Sequence, residues 1–127
     1  GDLSLIAKVA ALCGDKLTIY SGNDDQTLPI LSLGGKGIIS VIANICPQLS
    51  HDICATYFEG DIEKSRKLFL ENLELMNAMF MDVNPIVIKE AANLMGFNCG
   101  SCRMPLCDMT EQDQAKLVAI MKKYNLI

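Results

Sequence analysis

The chain has 127 residues, 50% of them apolar and 20% charged, with a mean hydropathy of +0.27. That is one domain's worth at most, and it excludes a disordered, charge-rich chain. Eleven Lys+Arg against 15 Asp+Glu give a net charge of −4 and a pI near 4.8, with no basic cluster larger than Lys122-Lys123, so the basic excess of a nucleic-acid surface is missing.

Asp2 opens a predicted helix whose apolar face is Leu3, Ile6, Val9-Ala10 and Cys13, at steps of three and four, and Gly14 ends it. Leu17-Thr18-Ile19-Tyr20 is β-branched and aromatic and reads as a strand. Ser21-Gly22-Asn23-Asp24-Asp25 forms a turn that also caps the next helix. This helix carries Pro29 near its start, runs to about Leu33 and stops at Gly34-Gly35. Gly37-Ile38-Ile39-Ser40-Val41 is a second short strand without clean alternation, as in a strand buried on both faces of a parallel sheet. Gly37 to Cys46 is the longest nearly apolar stretch, and it falls short of the about 20 residues that cross a bilayer.

Asn44 to Glu59 reads as a helix with Pro47 in its first turn, Gly60 as its stop, and Leu49, Ile53 and Tyr57 as its stripe. Asp61 caps a helix whose expected buried face is Ile62, Phe69, Leu73, Met76 and Phe80. Asn84-Pro85 reads as an N-cap followed by Pro at the first helical position, opening a helix through Ile88, Ala91-Ala92 and Met95 to Gly96. Residues 97–109 form an irregular Cys- and Pro-containing link, and Thr110 with Asp113 resembles a capping box that opens a last helix through Leu117, Ile120-Met121 and Tyr124.

The order is helix, strand, helix, strand, helix, then three helices. Alternating units imply parallel strands joined by crossovers. Two strands are too few for a sheet buried on both faces. The chain therefore reads as the end of an α/β protein whose first strands lie elsewhere, and Gly1 in place of an initiator Met points the same way. No secretory signal, lipidation motif or internal repeat is visible.

In an α/β barrel the functional loops leave the C-terminal ends of the strands. Here they begin at Ser21-Gly22-Asn23-Asp24 and Ser40-Val41-Ile42-Ala43-Asn44. Gly22 lets a backbone approach a ligand closely. Asp24 either accepts a ligand hydrogen bond or caps a helix. Ile39 either contacts a ligand or fills the barrel. Gly34-Gly35-Lys36-Gly37 lacks the spacing of a phosphate loop and precedes a strand, so it reads as a helix stop and turn. His51, the single histidine, reads as a surface or partly buried helical residue. The six cysteines read as reduced thiols, with a disulfide framework as the alternative. Cys99-x-x-Cys102 with Cys107 lacks the fourth ligand of a zinc site, although a redox dithiol stays open. Met76, Met79, Phe80 and Met81 read as packing material.

Gly1-Asp2-Leu3-Ser4, Tyr20-Ser21-Gly22-Asn23-Asp24, and the run Leu33-Gly34-Gly35-Lys36-Gly37-Ile38-Ile39-Ser40-Val41-Ile42-Ala43-Asn44 resemble the dihydrodipicolinate synthase family. So do Phe80-Met81-Asp82-Val83-Asn84-Pro85-Ile86-Val87-Ile88-Lys89 and Arg103-Met104-Pro105-Leu106. This is the lysine- and diaminopimelate-biosynthesis member of the pyruvate-dependent class I aldolase and lyase superfamily. The resemblance implies a (β/α)8 TIM barrel followed by a C-terminal helical domain. This chain would supply helix 6 through helix 8 of the barrel (residues 1–60) and the C-terminal helical region (61–127), a predominantly helical piece with two short parallel strands.

The implied reaction condenses pyruvate with aspartate-β-semialdehyde through a lysine Schiff base, with no cofactor and no metal. In the family that lysine precedes a Gly-[Asp/Asn]-Leu segment. Gly1 opens that segment here, so the lysine lies upstream, as do the proton-relay tyrosine and threonine and the arginine that receives the second substrate. No catalytic residue is therefore assigned to this chain, and none of Lys8, Lys16, Lys36 or Lys89 matches the lysine's position. The resemblance implies that Ile39 contacts pyruvate and that Gly22 and Asp24 line the active-site mouth. Asn23 stands where many members carry the first of two acidic residues. A cytoplasmic homo-oligomer is implied, with neither nucleic acid nor membrane as partner. Ala43-Asn44 favours this branch over sialic-acid lyases. The rival readings are another pyruvate-dependent enzyme, such as a sugar-acid aldolase, and a noncatalytic helical oligomerisation module.

Overall fold

In the computed structural model, which describes residues 1–127, Asp2 accepts hydrogen bonds from the backbone N–H groups of Ser4 and Leu5. From that cap α1 runs Leu3–Cys13 and ends at Gly14, whose φ of 50° suits a residue without Cβ. Both boundaries are those the sequence predicts. The chain divides into two compact units, Gly1–Asn72 and Leu73–Ile127.

The first unit holds α1, α2 (Thr27–Ser32), α3 (Pro47–Phe58) and α4 (Ile62–Glu71), with 3-10 turns at Gly14–Lys16, Asp24–Gln26 and Ile42–Asn44. Helix α2 ends in the Gly34-Gly35 turn, where Gly34 and Gly35 donate to the carbonyls of Leu31 and Ile30. Pro47 opens α3 as its first residue, where the missing N–H costs nothing. Asp61 caps α4 by accepting from the Lys64 N–H at 3.0 Å. Helices α3 and α4 pack on each other, and the Ser65 hydroxyl ties them by donating to the Ile53 carbonyl. The buried apolar residues of this unit are Ile30, Leu31, Ile42, Ile45, Ile53 and Phe69. Helix α1 buries no residue fully, and Leu5, Leu12 and Leu17 stay exposed.

The two expected strands contract to one parallel bridge, Ser21↔Ile38. Its direction is the predicted one. Ser21 donates to the Gly37 carbonyl at 2.9 Å, Ile39 to Ser21 at 2.8 Å, and Lys36 to Ile19 at 2.8 Å. Three hydrogen bonds between two short segments make a ladder too brief to extend. A two-stranded element is marginal without further strands beside it.

The second unit holds α5 (Leu73–Ala78), α6 (Ile86–Leu94) and α7 (Glu111–Lys123), and α7 packs on both α5 and α6. Leu75, Met76, Met79, Val87, Ala91, Leu117 and Met121 are its most buried apolar residues. The single helix expected from Asp61 through Phe80 is two helices, α4 and α5, because α4 ends at Asn72, whose side-chain amide turns back to donate to the Leu68 carbonyl at 2.8 Å. With the break, Ile62, Leu73 and Phe80 fall outside the buried set while Leu75 and Met79 join it. Pro85, not Asn84, is the N-cap of α6, so the helix begins at Ile86, one residue later than expected. Thr110 caps α7 by accepting from the Asp113 N–H at 3.2 Å, and its hydroxyl donates to Asp113 Oδ2 at 2.8 Å. Residues 97–109 carry no helix or strand. No helix of the chain is long and apolar enough to cross a membrane.

Candidate functional site

The parallel bridge aligns the ends of its two segments. Because the Ile39 N–H is bonded to the Ser21 carbonyl, Gly22, the next residue after Ser21, lies beside Ile39 at the C-terminal end of the pair. Gly22 is exposed, and a Cβ added there would meet no atom within 4 Å. Ile39 is 72% exposed, so its side chain is presented outward.

Asp24 behaves differently. It is 2% exposed. Its Oδ1 accepts from the Ser40 hydroxyl at 2.5 Å, and its Oδ2 accepts from the backbone N–H groups of Val41 and Ile42, each at 3.0 Å. These amides start the 3-10 turn Ile42–Asn44, so the carboxylate caps a turn 17 and 18 residues further along the chain. Capping was one of the two readings open from the sequence, but the expected helix was the adjacent one. The Ser40 hydroxyl oxygen also accepts from the Ala43 N–H at 2.9 Å and lies 3.1 Å from Ser50 Oγ. On the other segment, buried Ser21 donates to the Asn23 carbonyl at 2.7 Å, and Thr27 Oγ1 donates to the Asp24 carbonyl at 2.8 Å.

Gly22, Asp24 and Ile39, the three residues singled out by sequence, thus meet at one end of the bridge. Ser21, Thr27, Ser40 and Ser50, which support them, were not singled out. Only the polar character of the Ser21-Gly22-Asn23-Asp24 turn hinted at Ser21. Nothing local to Ser40 signals a partner 16 residues earlier. Chemically this group offers an apolar side chain, an open backbone position at Gly22 and a carboxylate already satisfied by three donors. It contains no free acid, base or nucleophile.

Of the residues set aside on sequence grounds, Lys36, His51 and Cys54 share a cleft wall with Ser40 and Ser50, and Lys89 belongs to the second unit. Exposed His51 places Nδ1 3.0 Å from Asp52 Oδ1, and the hydrogen bonds from His51 and Gln48 hold the Asp52 carboxyl below the usual aspartate range. Lys89 Nζ donates to the Ser101 carbonyl at 2.6 Å. All six cysteines are free thiols, with Cys99 and Cys107 exposed. Burial pushes the Cys46 and Cys54 thiols up from their ordinary value. A cleft of about 470 Å³, lined by Tyr20, Lys36, Ile38, Ser40, Cys54 and Phe58 among others, takes Ile38 and Ser40 into its wall. Alternation along the segment sends Ile39 to the opposite face.

The Dihydrodipicolinate synthetase family matches residues 1–124. The 4-hydroxy-tetrahydrodipicolinate synthase of Clostridium perfringens is 54% identical over 127 residues, covering 100% of this chain and 44% of the relative. A second synthase of that name, from Clostridium acetobutylicum, is 53% identical over 127 residues, covering 100% of this chain and 43% of the relative. The crystal structure of a dihydrodipicolinate synthase from Thermotoga maritima superposes with a TM-score of 0.93 at 36% identity, over 99% of this chain and 44% of that one. The chain spans less than half the length of each.

Proposed function

The chain belongs to the dihydrodipicolinate synthetase family, and from that premise we propose that it forms the C-terminal part of a 4-hydroxy-tetrahydrodipicolinate synthase. The complete enzyme condenses pyruvate with aspartate-β-semialdehyde in lysine biosynthesis. Residues 1–60 close a (β/α)8 barrel, and residues 61–127 form the helical region that follows it. The Schiff-base lysine and the proton-relay groups lie in the part of the enzyme preceding Gly1. Ile39 contacts pyruvate from the last barrel segment, and Gly22 and Asp24 belong to the loop at the mouth of the site.

The observation that carries this reading is the parallel register of Ser21 with Ile38, which puts an open glycine and an outward-facing isoleucine side by side where two segments end. Functional loops of α/β barrels sit at that end of their strands. Cytoplasmic location and self-association into a homo-oligomer belong to the same proposal.

The test is turnover of pyruvate with aspartate-β-semialdehyde, followed by borohydride trapping of any imine. The 127-residue chain alone gives neither turnover nor a trapped lysine. Trapping on Lys8, Lys16, Lys36 or Lys89 would overturn this division of roles.

A further inference from the structure

Ile39 is exposed, so packing around its side chain does not fix where it points. Its position is set by its backbone, which is pinned on two sides. The Ile39 N–H is held by the Ser21 carbonyl, and the three residues after it, Ser40, Val41 and Ile42, each donate one hydrogen bond to the Asp24 carboxylate. At Val41 the backbone leaves the extended conformation for the helical region, with φ −78° and ψ −46°. The extended segment thus ends before Val41, and the group bonded to the amides that follow is the Asp24 carboxylate. Bonds from an ionised acceptor to backbone N–H groups are stronger than neutral ones. The Asp24 main chain is itself anchored by Thr27 Oγ1. With two oxygens given to three protein donors and 2% exposure, the carboxylate has no surface on which to meet a ligand.

We propose that Asp24 is a positioning residue for the 2-oxo acid subsite: by clamping residues 40–42 it fixes the backbone that presents Ile39, and so sets affinity for the 2-oxo acid without touching it. This rests on the synthase reading above and assigns Asp24 a role different from direct contact. Ser40 is the relay of the clamp, since its hydroxyl joins Asp24, the Ala43 N–H and Ser50.

The experiment uses a full-length synthase chain ending in residues 1–127, with its preceding part taken from the Clostridium perfringens relative. Steady-state kinetics are measured for the unsubstituted chain, Asp24→Asn and Ser40→Ala, with a thermal melt of each. Asp24→Asn keeps the side chain's shape and removes its charge. It raises KM for pyruvate about tenfold while kcat stays within about threefold, the pattern of weakened binding. Ser40→Ala shifts KM in the same direction by less, and it decides the matter if Asp24→Asn does not fold. A merely structural residue lowers the melting temperature and leaves KM of the folded enzyme alone. That outcome overturns the positioning role and leaves the synthase reading standing. No turnover by the unsubstituted chain overturns the synthase reading and the positioning role with it.

Discussion

Ser65 Oγ donates to the carbonyl of Ile53 at 2.7 Å, linking the first turn of α4 to the middle of α3, and Ser65 has no exposure to solvent. A backbone carbonyl inside a helix already accepts a main-chain hydrogen bond, and the Thr56 hydroxyl lies 3.5 Å from this one, so the serine is not its sole partner. Ser65→Ala therefore removes a bond without orphaning its acceptor. The expected loss is about 1 kcal/mol in urea unfolding, with the m-value unchanged. An unaltered midpoint would show that the α3–α4 contact does not use this bond.

Acid should weaken the second unit through Glu74. The hydrogen bond and charge of Lys123 hold the Glu74 carboxyl below its ordinary value, with a further bond from the Tyr124 hydroxyl, and Glu74 raises the Lys123 ammonium in return. A carboxyl lowered in the folded state stabilises above the unfolded value, and that contribution is lost as pH falls through the folded value. For Lys123 the contribution is present below the ordinary lysine value and is lost as pH rises through the raised one. Glu74→Gln should melt lower than the parent near neutrality. The two curves should converge in acid. Parallel curves throughout would remove Glu74 from the acid response.

Glycines 35 and 22 should separate folding from binding. A Cβ at Gly35 would lie 2.7 Å from the Ile30 carbonyl oxygen, which already receives the Gly35 N–H at 2.9 Å. Gly35→Ala is expected to cost about 1–3 kcal/mol by forcing that turn open. Gly22→Ala meets no atom and should change stability by less than about 0.5 kcal/mol. In a full-length enzyme, on the function proposed above, it should raise KM for pyruvate. Equal melting temperatures for the two variants would refute the contrast.

Thiol labelling should follow burial. Cys99 and Cys107 are exposed, whereas Cys46 and Cys54 are partly buried and titrate above the ordinary thiol value. Since the thiolate is the reacting form, brief alkylation followed by peptide mapping should mark Cys99 and Cys107 first and Cys46 and Cys54 last. Early modification of Cys54 would mean that the cleft it lines admits the reagent and that burial does not set the order.

The sequence was most informative where one residue acts on its immediate neighbours. Asp2, Gly14 and Asp61 each set a helix boundary through atoms within a turn of themselves, and their chemistry was readable as such, whereas α3 begins at Pro47 and not at the expected Asn44, which closes a 3-10 turn of its own. Segments 17–20 and 37–41 were readable as extended and parallel but not as a stable ladder, because ladder length depends on strands to either side. The break at Asn72 carried no Gly or Pro to announce it. Gly22, Asp24 and Ile39 were drawn together by the family pattern, but the partners of Asp24 lie across a connection that local patterning does not span. A buried carboxylate serving amides 17 and 18 residues away looks, in the sequence, like an ordinary turn residue.

That long reach bears on the order in which the first unit assembles. Helices α3 and α4 are separated only by Glu59, Gly60 and Asp61, so their docking closes a short loop. The Asp24 clamp must instead wait until α2 and the Gly34-Gly35 turn have brought distant stretches together, and such closures come late and slowly. During refolding, pulse-labelled amides of α3 and α4 should acquire protection before those of Ile39, Val41 and Ile42, making the clamp the latch that fastens after the helices have met.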